Sequence, residues 1–136
     1  MIGKYIYAKL AANADITALC GTRIYPVGAP FETRTPYITY RTINIIPKTY
    51  SKEGPSPKDD YLVEFNIFNA ADKPNEALEN IETLFEEIRQ TFDFVASTAG
   101  GVTVEHCEYM PSGGDSIDDT TGHIFKNAQY TFRVVR

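Results

Sequence analysis

The sequence predicts an α+β fold in which an antiparallel sheet of about four strands is covered on one face by an N-terminal helix and one long helix. Two patterns predict these elements: apolar residues recur every three or four positions near residues 2–12 and 72–94, and they alternate with polar residues in four other segments. Glycines and prolines between the segments mark turns. The predicted order is α(α)ββαββ, and residues 1–136 are expected to form a single domain.

The N-terminal region predicts one helix followed by a shorter one. Residues with helical spacing define the first helix, over residues 2–12: Ile2, Tyr5, Ile6, Lys9 and Leu10. Asp15 can cap the short segment ITALC, and Gly21 suits its end because glycine readily adopts a left-handed conformation. Three prolines between residues 26 and 36 then exclude a helix, since each lacks an amide donor and favours an extended preceding residue.

Two strands are predicted in the middle of the chain. YITYRTINII, from Tyr37 to Ile46, is rich in β-branched and aromatic residues and ends at Pro47, but both of its faces are mixed, so the pattern does not indicate which is buried. YLVEFNIFN is its expected antiparallel neighbour. Residues 47–60 carry prolines, charges and few apolar side chains, which predicts a flexible, exposed hairpin arm or a partly disordered loop.

The clearest helix signal is ADKPNEALENIETLFEEIRQTFDF. Asp72 or Asn75 can cap this helix, and Pro74 suits its first turn. One face carries an apolar stripe, formed by Leu78, Ile81, Leu84, Phe85, Ile88 and Phe92. The other face is acidic, with Glu79, Glu82, Glu86 and Glu87. This acidic face is either an ordinary solvated surface or a wall of negative potential around a pore.

Two more strands are predicted near the C-terminus, in GGVTVEHCEYM and IFKNAQYTFRVVR. A flexible acidic loop, about residues 111–123, is expected between them. Its Asp115, Asp118 and Asp119 are the best candidates for a metal site, since hard cations prefer several carboxylates. The spacing in GGDSIDDTTG is not that of a calcium loop, however, and these residue types are typical of solvated turns. We therefore predict no metal site.

The composition excludes several classes of function. A net charge of −5 argues against sequence-independent binding of nucleic acid, which needs clustered Lys and Arg, and favours protein partners or a surface that DNA slides past. No run approaches the roughly 20 apolar residues that span a bilayer, and the start lacks the apolar stretch of a signal peptide, so we expect folding in the cytoplasm and no membrane association.

Cysteine and histidine offer no clear catalytic pair. Cys20 and Cys107 have no metal-ligand spacing and are expected to be buried thiols, without a disulfide or zinc. His106 and Cys107 are neighbours on a predicted strand, where successive side chains point to opposite faces, so they should not meet. We predict no catalytic residue and no cofactor.

Several short motifs resemble one protein family. The corner L-x-G-x-R-I-Y-P is present as Leu19, Gly21, Arg23, Ile24, Tyr25 and Pro26, and the strand start P-Y-[IV]-x-Y as Pro36, Tyr37, Ile38 and Tyr40. The long segment VEFNIFNAADKPNEALENIETLFEEIRQTF and the closing AQYTFRVV follow in the same order. Together these motifs resemble the tail-completion or tail-terminator proteins of long-tailed bacteriophages and prophages.

The resemblance implies a structural virion protein and not an enzyme. Its subunits would form a ring, a homo-hexamer, that caps the tail tube and joins it to the head connector, and DNA would pass through without specific binding. The protein would be found in the virion tail, and in the host bacterial cytoplasm during assembly. The two loops would order against partner proteins. The expected interface residues are therefore Lys48, Tyr50, Lys52, Glu53, Lys58, Asp115, Asp118 and Asp119.

Three alternatives stay open from the sequence. The chain could be another neck or minor tail component. It could be a small metal-dependent phage enzyme, such as a nuclease that uses the acidic loop together with His123. It could also be a plain soluble adaptor that binds one partner and remains monomeric.

Overall fold

The computed structural model describes residues 2–30, 33–47, 57–110 and 114–135. Within them, the chain forms three helices and seven strands. In chain order these are α1 (Ile2–Ala11), α2 (Ala14–Cys20), β1 (Ile24–Pro26), β2 (Tyr37–Pro47), β3 (Lys58–Asn69), α3 (Pro74–Phe92), β4 (Ser97–Ala99), β5 (Val102–Met110), β6 (Asp115–Ile117) and β7 (Ile124–Val135).

The strands form one curled sheet in the order β1-β2-β3-β7-β5-β4, with β6 beside β7. The β1–β2 pair is parallel, and the other pairs are antiparallel. The predicted α+β class, with a four-stranded antiparallel sheet in the order α(α)ββαββ, is therefore wrong: the sheet is mixed and has seven strands.

The error has a simple physical cause. The four long strands were all predicted, but β1, β4 and β6 have three residues each, too few for an alternating pattern to stand out. β6 lies within the segment that was predicted as a loop. Each short strand pairs with a long neighbour: β4 and β6 form hairpins with β5 and β7, and β1 lies beside β2 after a longer loop.

The ends of the helices follow local chemistry, although not always through the predicted residue. The side chain of Asn13 caps α2 by accepting hydrogen bonds from the amides of Asp15 (2.9 Å) and Ile16 (3.1 Å), so Asp15 is not the cap. Gly21 ends α2 at the predicted position with a positive φ of 59°, although its ψ of −125° lies outside the left-handed helical region. α3 begins at Pro74 after Lys73, without a hydrogen bond from a capping side chain, so neither Asp72 nor Asn75 has the predicted role.

The helices pack against one face of the sheet and close a single apolar cluster there. Most of the predicted stripe of α3 is buried in it, with Leu78 and Phe85 partly covered at its margin. Its centre is aromatic: the ring of Phe92 lies 5.5 Å from that of Phe65 and 5.3 Å from that of Phe132. Burial of this area provides most of the driving force for folding.

Candidate interaction surfaces

The motif that carries the family resemblance builds a corner between α2 and β2. The guanidinium of Arg23 donates one hydrogen bond to the carbonyl of Leu19 (3.0 Å) and another to the carbonyl of Pro36 (3.1 Å). The carbonyl of Arg23 in turn accepts from the amide of Ile38 (3.1 Å). Arg23 therefore joins the end of a helix to the start of a strand, and the motif encodes a fold feature.

This corner brings a loop over the sheet face opposite the helices, where a cleft of about 550 Å³ opens. The loop residues Val27–Pro30 form one wall. Tyr37, Thr39 and Phe68 lie on the strands beneath, and the turn that joins β6 to β7 forms the other wall. Burial raises the pKa of Tyr37 above its ordinary value, and the negative charge of Asp118 raises it further.

Asp118 stabilises the turn that joins β6 to β7, which forms the second wall of the cleft. Its amide donates to the carbonyl of His123 (2.8 Å), and its carboxylate accepts from the amide of Thr120 (2.9 Å) and the hydroxyl of Thr121 (3.1 Å). The ring of His123 lies 6.1 Å from that of Tyr37, and its buried Nδ1 has no hydrogen-bond partner among the described residues.

The acidic residues of this region do not converge on one point. Asp115 lies opposite Lys126, with 3.8 Å between its Oδ1 and the lysine Nζ, Asp118 is used by its own turn, and Asp119 is exposed. Within the part of the chain that the structure describes, no three His, Cys, Asp or Glu side chains are grouped to hold a metal ion. The nuclease alternative therefore finds no site in these residues.

The remaining predicted interface residues fall into two groups. Lys48, Tyr50, Lys52 and Glu53 lie outside the described residues. Lys58 lies at the start of β3, where its Nζ contacts the carboxylate of Glu105 at 3.0 Å. This ion pair bridges β3 and β5 over the intervening β7.

β2 contains a surface that the sequence did not identify. Its first part, Tyr37–Tyr40, is buried, whereas its second part, Arg41–Pro47, is exposed. β1 pairs with β2 only at Ile38–Tyr40, so among the described residues no strand covers the outer side of Arg41–Pro47. We call these two parts the covered half and the open half of β2.

Three apolar side chains of the open half reach solvent. Ile43, Ile45 and Ile46 are 43%, 50% and 52% exposed. A β-bulge interrupts the pairing between Thr42 and Asn44. An exposed apolar edge strand is a template for pairing with another chain, which soluble proteins usually avoid. The signal was present in the sequence, because YITYRTINII has apolar residues on both faces.

Another exposed apolar side chain, that of Phe94, lies at the opposite side of the sheet. After α3, Asp93 accepts hydrogen bonds from the hydroxyl of Tyr130 (2.5 Å) and from Nε of Arg89 (2.9 Å), which anchors the helix end. Phe94 then has a φ of 56°, its amide donates to the carbonyl of Cys107 (3.0 Å), and its side chain is 76% exposed. It therefore projects from the outer edge of β5.

His106 and Cys107 point to different environments, as predicted. His106 lies near the ring of Phe94, with 6.1 Å between the ring centres, whereas Cys107 is buried against the helices. Burial raises the pKa of the Cys107 thiol to about 12, so it remains protonated at neutral pH and is a poor nucleophile. Cys20 is likewise a buried free thiol.

The acidic face of α3 is present as predicted. Glu79, Glu82 and Glu86 are exposed, and Glu87 accepts a hydrogen bond from the side-chain amide of Asn13 (3.2 Å). Among the described residues, no helix combines the length and apolar character that crossing a membrane requires.

The apolar edge residues and the acidic face of α3 are thus exposed on the surface of the domain. The family described as "Tail completion protein gp17" matches residues 4–119, and the chain belongs to this family of phage tail proteins. It is a structural protein of the virion tail. The resemblance seen in the sequence motifs is thus confirmed.

The fold is also similar to that of solved structures. One chain of a structure described as "Virion of native gene transfer agent (GTA) particle" has a TM-score of 0.72 and 14% sequence identity, covering 96% of this chain and 92% of that one. A further structure has a TM-score of 0.49 and 12% identity, over 81% of this chain and 78% of that one, which is too distant to support an argument. No curated protein sequence matches significantly.

Proposed function

We propose that the protein is a ring-forming tail terminator that caps the tail tube and joins it to the head connector. Membership of the tail-completion family supports a position at this junction. The observation that carries the ring is the open half of β2, where three exposed isoleucines line a strand edge that the described residues leave uncovered. Such an edge is suited to contact another subunit, and repeated head-to-tail contacts close a ring.

In this proposal the chain acts through geometry and not through catalysis. One domain supplies the subunit, six subunits form the ring, and assembly takes place in the host cytoplasm. The exposed carboxylates of Glu79, Glu82 and Glu86 would face the passage and repel the phosphates of DNA, so that the genome moves through without binding. Contacts to the tube and the connector would come from residues 47–60 and 111–123.

A reconstitution assay tests the joining function. Tails and filled heads from a phage that lacks the gene are mixed with purified protein, and infectious particles are counted. We expect the full chain to restore infectivity and a variant without residues 49–57 to fail, although its thermal midpoint is unchanged. A Gly-Ser replacement of equal length is the matched control, because it separates the effect of loop length from that of the side chains.

The outcomes separate the candidates. Normal joining by the Gly-Ser variant would show that these side chains are dispensable. Incorporation into tails without rings in negatively stained samples would favour another neck or minor tail component. A failure of the full chain to restore joining would contradict the terminator function.

A further inference from the structure

The sheet has two edges that match each other. We propose that the open half of β2 in one subunit docks against the β5 edge of the next subunit, where the β5 edge means Phe94 together with Glu105–Met110. This inference rests on the proposed ring and names the two surfaces that would close it. Because the surfaces differ, the contact is heterologous, the type that generates closed rings.

The strand register places both surfaces at the same level of the sheet. Arg41 pairs with Glu64, Glu64 with Gln129, and Gln129 with Met110. At the other end, Pro47 is connected in the same way through Asp59 and Val134 to Val104. The open half of β2 is therefore level with the part of β5 that follows Val104.

The flanking strands leave the same window on both sides. Among the described residues, β1 pairs with β2 only before Arg41 and β4 pairs with β5 only at Val102–Val104; within the window on β5, the amide of Phe94 occupies the carbonyl of Cys107. The two strands also run in opposite directions, since three antiparallel pairs separate them. A rotation about an axis along the strands would thus bring the open half of one subunit beside Phe94 and β5 of the next, with the two strands antiparallel and without translation along the strand.

The apolar side chains are also complementary. The open half offers Ile43, Ile45 and Ile46, each about half exposed, and the β5 edge offers Phe94, which is 76% exposed. The hydrogen bond from the Phe94 amide to the Cys107 carbonyl fixes this residue against the outer side of β5. Contact between the edges would remove all four side chains from water, which is a favourable exchange.

The charges on the two edges have opposite signs. The open half contains Arg41 and no acidic residue, whereas the β5 edge contains Glu105 and Glu108. Glu105 already contacts Lys58, whereas the side chain of Glu108 is 56% exposed and its ion-pair contact among the described residues is His106, at 3.8 Å. Arg41 pairs with Glu64, and Glu108 is connected through Thr131 to Leu62. Because Leu62 and Glu64 are two residues apart on β3, Arg41 and Glu108 lie on the same face of the sheet. A pair across the contact would orient the subunits more than it would stabilise them.

Two single substitutions test the proposal by sedimentation velocity over a range of protein concentrations. Ile45→Asp places a charge on the open half, and Phe94→Asp places one on the β5 edge, where aspartate tolerates the positive φ. We expect the wild type to associate and each variant to be monomeric with an unchanged thermal midpoint. Ile117→Asp is the matched control, since Ile117 is 62% exposed but lies outside the window, and it should associate like the wild type.

A mixture of the two variants gives the decisive result. Each variant retains one intact edge, so an equimolar mixture should form a heterodimer that cannot grow further. If β2 instead paired with β2, Phe94→Asp would still associate alone and the mixture would form no new species, which would overturn the proposal. Association of Ile45→Asp at wild-type strength, or a wild type that is monomeric at every concentration, would overturn it too.

These results are independent of the joining assay. Edges that pair in the purified protein, combined with failed joining, would contradict the terminator function and leave this contact standing. Successful joining by a chain whose edges do not pair would contradict only the contact.

Discussion

The two halves of β2 have a similar mixture of apolar and polar residues, but the covered half is buried and the open half is exposed. In the covered half, Ile38 and Tyr40 face the apolar core, while Tyr37 and Thr39 are buried on the other face beneath the corner loop. β1 covers the edge of the same residues. In the open half, β3 is the one strand alongside among the described residues, and the isoleucine side chains are about half exposed. The difference shows that the same residue types are buried in one half and exposed in the other.

The largest expected effect comes from truncating an isoleucine in the covered half of β2, in comparison with the same change in the open half. Ile38→Ala should lower the free energy of unfolding by about 2–5 kcal/mol, because a buried side chain is lost and a cavity remains. The matched variant Ile45→Ala should change it by about 0.5 kcal/mol or less, since its side chain is half exposed. Urea unfolding of the monomer measures both values. Similar losses in the two variants would contradict the distinction between the halves.

The next prediction compares two arginines. Arg23→Met removes both hydrogen bonds that join the end of α2 to the start of β2, and should destabilise by about 1–3 kcal/mol because two carbonyls lose their partner. Arg41→Met removes only an exposed ion pair with Glu64, 3.4 Å long, and should cost less than about 1 kcal/mol. Thermal unfolding gives the ranking, and an Arg41 variant as unstable as the Arg23 variant would refute it.

A smaller effect is expected where α2 begins. Asn13→Ala should lower stability by about 1 kcal/mol, because the cap of α2 is lost. Asn13 also donates hydrogen bonds to Glu87 (3.2 Å) and Thr91 (3.0 Å) on α3. Asn13→Asp keeps the cap and loses these donors, so it separates the two contributions in the same unfolding experiment. Equal stability of Asn13→Ala and the wild type would show that the cap is unimportant.

The last prediction concerns accessibility and involves almost no change in stability. Burial raises the pKa values of both native thiols to about 12, so at pH 8 neither Cys20 nor Cys107 should react with a thiol reagent in the folded protein. Ile45→Cys should add one reactive thiol per chain. Mass spectrometry counts the labels, and denatured protein provides the control with every thiol reactive. Labelling of the native thiols in the folded state would show that the core opens more readily than its packing suggests.

The same pKa values predict how stability depends on pH. Each thiol has a pKa that folding raises from 9.0 to about 12. Its contribution to the free energy of unfolding is therefore fully present below pH 9, where the thiol is protonated in both the folded and the unfolded state. Above pH 9 the unfolded chain gains the charged form first, so stability should fall progressively towards pH 12. Cys107→Ala should reduce the steepness of this fall.

Local patterns were sufficient for the elements with strong periodicity. The stripe of α3 and the alternation in β3 and β7 predicted these elements directly, because each repeats the same environment over many residues. The predictions were wrong where the local signal was short or offered two candidates. The α2 cap is Asn13 and not Asp15, and three strands of three residues exist only because longer strands lie beside them.

The candidate surfaces followed the same rule. The sequence motifs were enough to identify the family, and the structure places the first of them in the corner around Arg23. They did not identify Phe94 or the open half of β2. Exposure depends on what lies over a side chain, and the sequence does not distinguish an exposed isoleucine from a buried one.

The sequence by itself determined the helices, the long strands, the acidic face of α3 and the tail-completion family, since these depend on residue type and on spacing along the chain. Only the tertiary structure decided the seven-stranded mixed sheet, the cleft on its face opposite the helices, and the equal level of the open half of β2 and the β5 edge. The physical reason is that burial and strand pairing are properties of segments far apart in the chain, and they arise only when folding brings those segments together.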